Sequence, residues 1–163
     1  MFETELFNNN QFDWIKIKNT IISLEKEAFV DHPFTDKDLE KDFLNSGNTI
    51  VLLKNSENQK IIGFAYAKPR EPETSDSPAE PGETAWMWDT VIKKEYRGKK
   101  LLGSIMNKLE EELKNKGFKY LERNAMIANN FAENVSKHYK DRIIKSLPLE
   151  SKWGSQVFFR IKL

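Results

Sequence analysis

The chain has 163 residues, 39% of them hydrophobic and 31% charged, proportions that suit one soluble globular domain with room for a proper core. A formal charge of +1, no cysteine and two histidines, His32 and His138, exclude a global field for gripping DNA or an anionic membrane, a disulfide framework, a thiol nucleophile and a Cys- or His-rich metal site. No apolar run approaches the ~20 residues of a membrane span and no signal-peptide pattern opens the chain, so a cytoplasmic location is the expectation.

In chain order, Phe2–Phe7 reads as a short first strand, ended by Asn8-Asn9-Asn10. From Asp13 the pattern turns helical, with Ile17, Ile21, Leu24 and Ala28 on one face. Asp31-His32-Pro33 breaks that helix, since the residue before proline is pushed out of helical conformation. Thr35-Asp36-Lys37-Asp38 resembles a capping box and opens a second helix through Leu44, with Gly47 expected to close it. Ile50–Leu53 and Ile61–Ala67 read as an antiparallel hairpin around the polar turn Asn55–Lys60.

Arg70 to Glu83 is rich in proline and glutamate and holds nothing apolar larger than Ala79. Such a stretch cannot bury enough surface to order itself, and the expectation is a mobile, dispensable loop. A minority reading makes it an acidic lid that attracts a cationic substrate. Thr84–Ile92 is the next strand, followed by a helix carrying Leu101, Leu102, Ile105, Met106, Leu109 and Leu113 at three- and four-residue spacings. Gly117 stops it and Tyr120–Met126 follows as a strand, parallel to Thr84–Ile92 because a helix joins them. Asn129-Asn130 precedes a last helix, Phe131 to about Asp141, with Phe131, Val135 and Tyr139 on one stripe. Ile143-Ile144 and Val157–Ile161 close the chain as strands, separated by a polar loop around Pro148 to Gly154. The order β-α-α-β-β-β-α-β-α-β-β implies an α+β fold, a mixed sheet with helices on both faces, in one domain spanning 1–163.

The functional clue is Glu95-Tyr96-Arg97-Gly98-Lys99-Lys100-Leu101-Leu102-Gly103-Ser104. A strand that passes through a short basic turn into a helix aims unpaired backbone N–H groups at one spot. The helix dipole and Arg97, Lys99 and Lys100 add positive charge there, which makes an anion site, most naturally for phosphate. A P-loop kinase is excluded, because no Gly-Lys-Ser/Thr follows at the required spacing.

These residues resemble the GNAT superfamily of acyl-CoA-dependent N-acyltransferases. Ile92 to Lys99 is similar to the end of that family's fourth strand and the start of its pyrophosphate loop, Arg/Gln-x-x-Gly-x-Gly/Ala. Arg97 and Gly98 fit; Lys100 stands where the first signature glycine is expected, Leu102 where the small last residue is expected, and Gly103 comes one place late. Asn130, Ala132 and Tyr139 resemble the family's Asn and helical Tyr, with a longer spacing from Ala132 to Tyr139 than the commonest pattern. The resemblance implies the mixed GNAT sheet and acetyl-CoA as acyl donor. It implies a cofactor site of Val91, Ile92, Arg97, Gly98, Lys99, Lys100, Leu101, Leu102, Gly103, Ser104 and Asn130, with no metal, and an amine of a small molecule or protein as acceptor.

Acetyl transfer from a thioester to an amine needs a neutral amine, a polarised carbonyl and a proton for the leaving thiolate. An alkyl ammonium with a pKa near 10 is mostly charged at neutral pH, so something must accept its proton. Asp89 is placed to do so directly or through water; the competing reading is a carboxylate satisfying a neighbouring backbone or basic group. By the resemblance, the backbone N–H of Ile92 polarises the carbonyl and Tyr139 protonates the thiolate. Tyr139 reads equally well as a core aromatic, and His138 is its neighbouring alternative. Glu27 faces either the substrate or solvent, Trp86 and Trp88 share one strand face for packing or substrate stacking, and Lys137 and Lys140 are solvated or near the adenosine phosphate. A non-catalytic acyl-CoA sensor or interaction module is the alternative function. No nucleic-acid motif or membrane segment appears, and a homodimer is compatible with a sequence that does not set the oligomeric state.

Overall fold

The computed structural model describes residues 1–31 and 33–163; His32, and with it the expected break at Asp31-His32-Pro33, lies outside the described residues. The elements run β1 (Phe2–Leu6), α1 (Gln11–Ala28), α2 (Asp36–Leu44), β2 (Thr49–Asn55), β3 (Ile61–Pro69), β4 (Thr84–Ile92), a 3-10 turn (Lys94–Tyr96), α3 (Leu101–Asn115), β5 (Tyr120–Met126), α4 (Phe131–His138), β6 (Ile143–Ser151) and β7 (Gly154–Lys162). The strands form one mixed sheet of seven, in the order β1-β2-β3-β4-β5-β7-β6. The α+β class and the element order match the expectation.

Contacts divide the chain into two compact units, Met1–Lys68 with Trp88–Glu112, and Pro69–Met87 with Leu113–Leu163. In the first, β1, β2 and β3 pair antiparallel, with Leu6 opposite Val51 and Leu53 opposite Gly63. Asn10 caps α1 by accepting from the Asp13 amide, 2.9 Å away. The Thr35–Asp38 capping box is formed in both directions, because a short acidic side chain at the third helical position reaches back to the Thr35 amide. Asn45, rather than Gly47, ends α2: its side chain accepts from the Gly47 amide at 2.9 Å. The core of this unit centres on Phe43, whose ring lies 5.5, 5.1, 5.7 and 5.8 Å from those of Phe7, Trp14, Phe64 and Tyr66. Truncating such a ring to alanine costs about 3–5 kcal/mol.

In the second unit β5 pairs β7 antiparallel along its whole length, β6 pairs β7, and Thr84–Trp86 of β4 pair in parallel with Tyr120–Glu122 of β5. Gly117, at φ +91°, terminates α3 as expected. Its amide bonds the Lys114 carbonyl and the Phe118 amide bonds that of Leu113, the double bond of a left-handed helix stop. The expected loop from Pro148 to Gly154 is mostly strand. β6 runs through Pro148 to Ser151 and turns into β7 through Lys152-Trp153. Proline lacks the N–H that a central strand needs, but β6 is the outer strand of the sheet, where that loss is tolerated.

The Arg70–Glu83 segment has partners that composition does not reveal. Arg160 and Glu122, both buried, form an ion pair at 2.7 Å. The second Glu122 oxygen accepts from the Glu73 amide at 3.1 Å, and Arg160 also donates to the Thr74 hydroxyl. Asp76 pairs with Lys145, and the Arg70 guanidinium lies 4.1 Å over the Trp86 ring, which itself stacks on Phe158. A buried ion pair that also binds the segment's backbone ties it at Glu73 and Thr74.

Candidate functional site

β4 leads into the basic turn through a close contact with β3. Gly63 has no side chain because a Cβ there would meet the Val91 carbonyl oxygen at 2.6 Å. The next bond is Lys93 N–H to the Ile62 carbonyl, 2.8 Å. Beyond it the turn is held from two sides. Glu27, at the end of α1, accepts from the Lys94 amide at 2.6 Å, and Arg97 folds back so that Nε donates to the Ile92 carbonyl at 2.7 Å. Glu27 is exposed, as a solvated helix face would have it, and it also anchors the turn across 67 positions of sequence. No local pattern announces such a bond.

The turn itself uses two left-handed residues, Gly98 at φ +77° and Lys100 at φ +61°. Glycine adopts this conformation freely, whereas lysine pays a steric cost of about 1–2 kcal/mol. Lys100 stands where the resemblance expects glycine, and its backbone takes the shape that explains the expectation. The Gly98, Lys99 and Lys100 amides donate to no backbone carbonyl among the described residues. The first amides of α3, from Leu101 to Gly103, have no intrahelical partner by construction. Six consecutive N–H groups, from Gly98 to Gly103, therefore surround one turn, at the positive end of the α3 dipole. The Lys99 ammonium lies 4.9 Å from the Tyr96 ring centroid. A Cβ on Gly103 would meet nothing within 4 Å, and Leu102 is half-buried.

Asp89 is 7% exposed, and its Oδ1 accepts from the adjacent Thr90 amide at 2.7 Å. One oxygen is therefore committed to the backbone, as one of the two sequence readings required. Next to it in sequence, Trp88 is 40% exposed and carries the Lys68 ammonium 3.6 Å from its ring centroid. Lys68 also pairs with Asp42 at 2.7 Å, and Phe34 stacks on Trp88 with centroids 5.9 Å apart. Trp86 instead meets Arg70 and Phe158, so the two tryptophans have different surroundings. The Tyr66 hydroxyl donates to the same Asp42 oxygen at 3.0 Å. Burial, followed by the Asp42, Asp89 and Glu25 carboxylates, holds the Tyr66 phenol far above its ordinary range, so it stays protonated. Sequence reasoning missed Glu25, Asp42 and Lys68; only the alternation of Lys68 with Tyr66 along β3 hinted that they share a face.

In the second unit Asn130 precedes α4 in the left-handed region, at φ +59°, and accepts the Asn134 amide through its carbonyl. The side chain at this helix start that bonds the backbone is that of Asn129, to the Phe131 amide at 3.1 Å. α4 ends at His138, earlier than the expected Asp141, and Tyr139 follows as its C-cap. Tyr139 is 2% exposed, with the His138 ring edge-on at 4.5 Å and the Arg142 guanidinium 4.9 Å from its centroid. No group of three His, Cys, Asp or Glu that could hold a metal occurs among the described residues, and no described helix is long and apolar enough to cross a membrane.

A sequence profile of the acetyltransferase (GNAT) family matches residues 14–136. The chain belongs to the GNAT acetyltransferase family. The match runs from α1 into α4, so it takes in β4, the left-handed turn and the start of α3. No curated protein sequence matches the chain significantly. Solved structures share its fold at low identity. The ribosomal-protein-S18-alanine N-acetyltransferase of Escherichia coli is 13% identical, with a TM-score of 0.72 over 99% of this chain and 94% of that one. YncA of Salmonella typhimurium, solved with its cofactor acetyl-CoA, is 12% identical with a TM-score of 0.72 over 100% and 94%. The PaiA N-acetyltransferase of Thermoplasma acidophilum, solved with coenzyme A, is 14% identical with a TM-score of 0.68 over 99% of both chains. In this GNAT chain the turn that departs from the signature at Lys100 nonetheless keeps the left-handed backbone there.

Proposed function

We propose that the protein transfers an acetyl group from acetyl-CoA to an amine, by direct attack and without a covalent enzyme intermediate. The observation that carries this reading is the run of amides from Gly98 to Gly103 around a turn with two left-handed residues. Backbone N–H groups at a helix start suit a pyrophosphate, and the family match supplies the reaction class. The cofactor-binding residues are Val91, Ile92, the Arg97–Ser104 turn and Asn130. Arg97 serves by holding the turn against the Ile92 carbonyl.

In the proposed reaction the Ile92 N–H polarises the thioester carbonyl. The amine loses its proton to Asp89, directly or through water, and its nitrogen attacks the carbonyl carbon. The C–S bond breaks as the C–N bond forms, Tyr139 gives its phenolic proton to the departing thiolate, and the second proton of the attacking nitrogen leaves through water and restores the phenol. Protein and small-molecule amines both fit this scheme, in a soluble protein acting as a single catalytic domain. The test is turnover with acetyl-CoA against a panel of primary amines, read by thiol release. Release that depends on the amine supports the reading. CoA binding with no release for any amine would make the protein a non-catalytic acyl-CoA-binding module.

A further inference from the structure

Around Trp88 the first unit holds a cation where a ligand's cation would sit. The Lys68 ammonium is 3.6 Å from the indole centroid and 2.7 Å from Asp42 Oδ2. An aromatic face beside a carboxylate is the usual receptor for an ammonium group. Trp88 is 40% exposed, while the Asp42 side chain keeps 13% of its surface under a Lys68 side chain that keeps 23%. A second carboxylate, that of Glu25, lies in the same surroundings. Glu25 is 1% exposed; its Oε1 accepts from the Phe34 amide at 3.0 Å, while its buried Oε2 accepts no hydrogen bond and no cation pairs with it among the described residues. Phe34, held in this way, is the ring that stacks on Trp88.

We propose that Trp88 and Asp42 form a subsite for a second ammonium group of the acceptor, one that stays charged, and that Lys68 fills it in the free protein. This deepens the proposed transfer reaction and rests on it. The reacting nitrogen is a poor occupant. It must be neutral when it attacks, and a carboxylate next to an ammonium favours the charged form. A non-reacting ammonium gains from the same surroundings. Trp88 precedes Ile92, the proposed carbonyl-polarising residue, by four positions, about 13 Å along a strand. The acceptor class is therefore an aliphatic diamine or polyamine whose nitrogens are separated by on the order of 10 Å. Binding swings Lys68 away from Trp88, and the incoming ammonium takes its place at Asp42.

The experiment compares diaminooctane with n-octylamine, which has the same chain and lacks the second ammonium. The expected result is a kcat/KM for the diamine on the order of tenfold higher, expressed mainly in KM. Trp88→Leu and Asp42→Asn each lower that ratio towards two, the statistical value for two equivalent amines; asparagine keeps an acceptor for the Tyr66 hydroxyl, and the tryptophan variant leaves the carboxylate intact. Lys68→Met raises the ratio by removing the internal competitor. A wild-type ratio of two or less, or a higher ratio that survives both Trp88→Leu and Asp42→Asn, overturns the subsite. Calorimetric titration with the two amines separates it from the reaction. If no amine is acetylated, the proposed function fails, yet diamine binding that is stronger than octylamine binding and lost in Asp42→Asn still supports the subsite. Equal binding of the two amines overturns it.

Discussion

Replacing Gly63 with alanine tests how tightly β3 fixes the end of β4. The new Cβ would stand 2.6 Å from the Val91 carbonyl oxygen and 3.4 Å from Ile92 Cα. A carbon–oxygen contact relaxes at about 3.3 Å, so the strands must part by roughly 0.7 Å, and the obstacle is backbone, which cannot rotate away. Overpacking of this kind costs about 1–3 kcal/mol, while the reduced freedom of the unfolded chain returns about 0.5 kcal/mol. The net loss of about 0.5–2.5 kcal/mol lowers the Tm of a domain this size by about 2–8 °C. The shift also moves the Ile92 amide, so kcat should fall by at least about tenfold while CoA affinity, set by the turn beyond it, changes little. Thermal denaturation and steady-state kinetics read the two effects. Gly103→Ala is the control for stability alone, because a Cβ there meets nothing within 4 Å and alanine favours a helix. A Gly63→Ala variant with wild-type Tm and kcat would refute the reasoning.

Lys100→Gly should stabilise the protein by about 0.5–1 kcal/mol, since relief of the left-handed lysine exceeds the entropy that glycine adds to the unfolded chain; chemical denaturation reads this, and a loss of stability would contradict it. Arg160→Met leaves the Glu122 carboxylate buried without its partner and should cost about 3–5 kcal/mol, with faster amide exchange at Glu73. The double variant Arg160→Met/Glu122→Leu should recover much of that stability but not the slow exchange. Tyr139→Phe removes only the hydroxyl: a proton-donor role predicts about a 10²-fold loss in single-turnover rate with CoA affinity intact, and near-normal chemistry would return Tyr139 to packing alone.

Much of the fold was legible because its signals are local. The Thr35–Asp38 box, the Gly117 stop and the alternation through Thr84–Ile92 each lie within a few residues, and each element formed where its signal stood. β6 was not legible past Ile144, because Pro148 reads as a break unless the strand is known to lie at an edge, which is a property of the whole sheet. The contacts of the Arg70–Glu83 segment were not legible for a related reason: Glu122 and Arg160, which bond it, are 49 and 86 positions from Glu73 and Thr74. At the site, the basic turn could be read but not what holds it. Glu27 is distant in sequence, and the left-handed lysine at Lys100 is a shape that residue identity argues against. The cluster around Trp88 joins α1, α2, β3 and β4, and no single stretch of sequence contains it.

The account turns on whether the Gly98–Ser104 turn binds the CoA pyrophosphate, and calorimetric titration of coenzyme A into wild type and Gly98→Glu measures that directly. Gly98 sits at φ +77°, so glutamate there strains the turn and sets a like charge against the phosphates. The account predicts saturable binding to wild type and a loss of at least about 10²-fold in the variant, with its circular dichroism unchanged. Wild type that binds no CoA, or a correctly folded Gly98→Glu that binds it equally well, would contradict it.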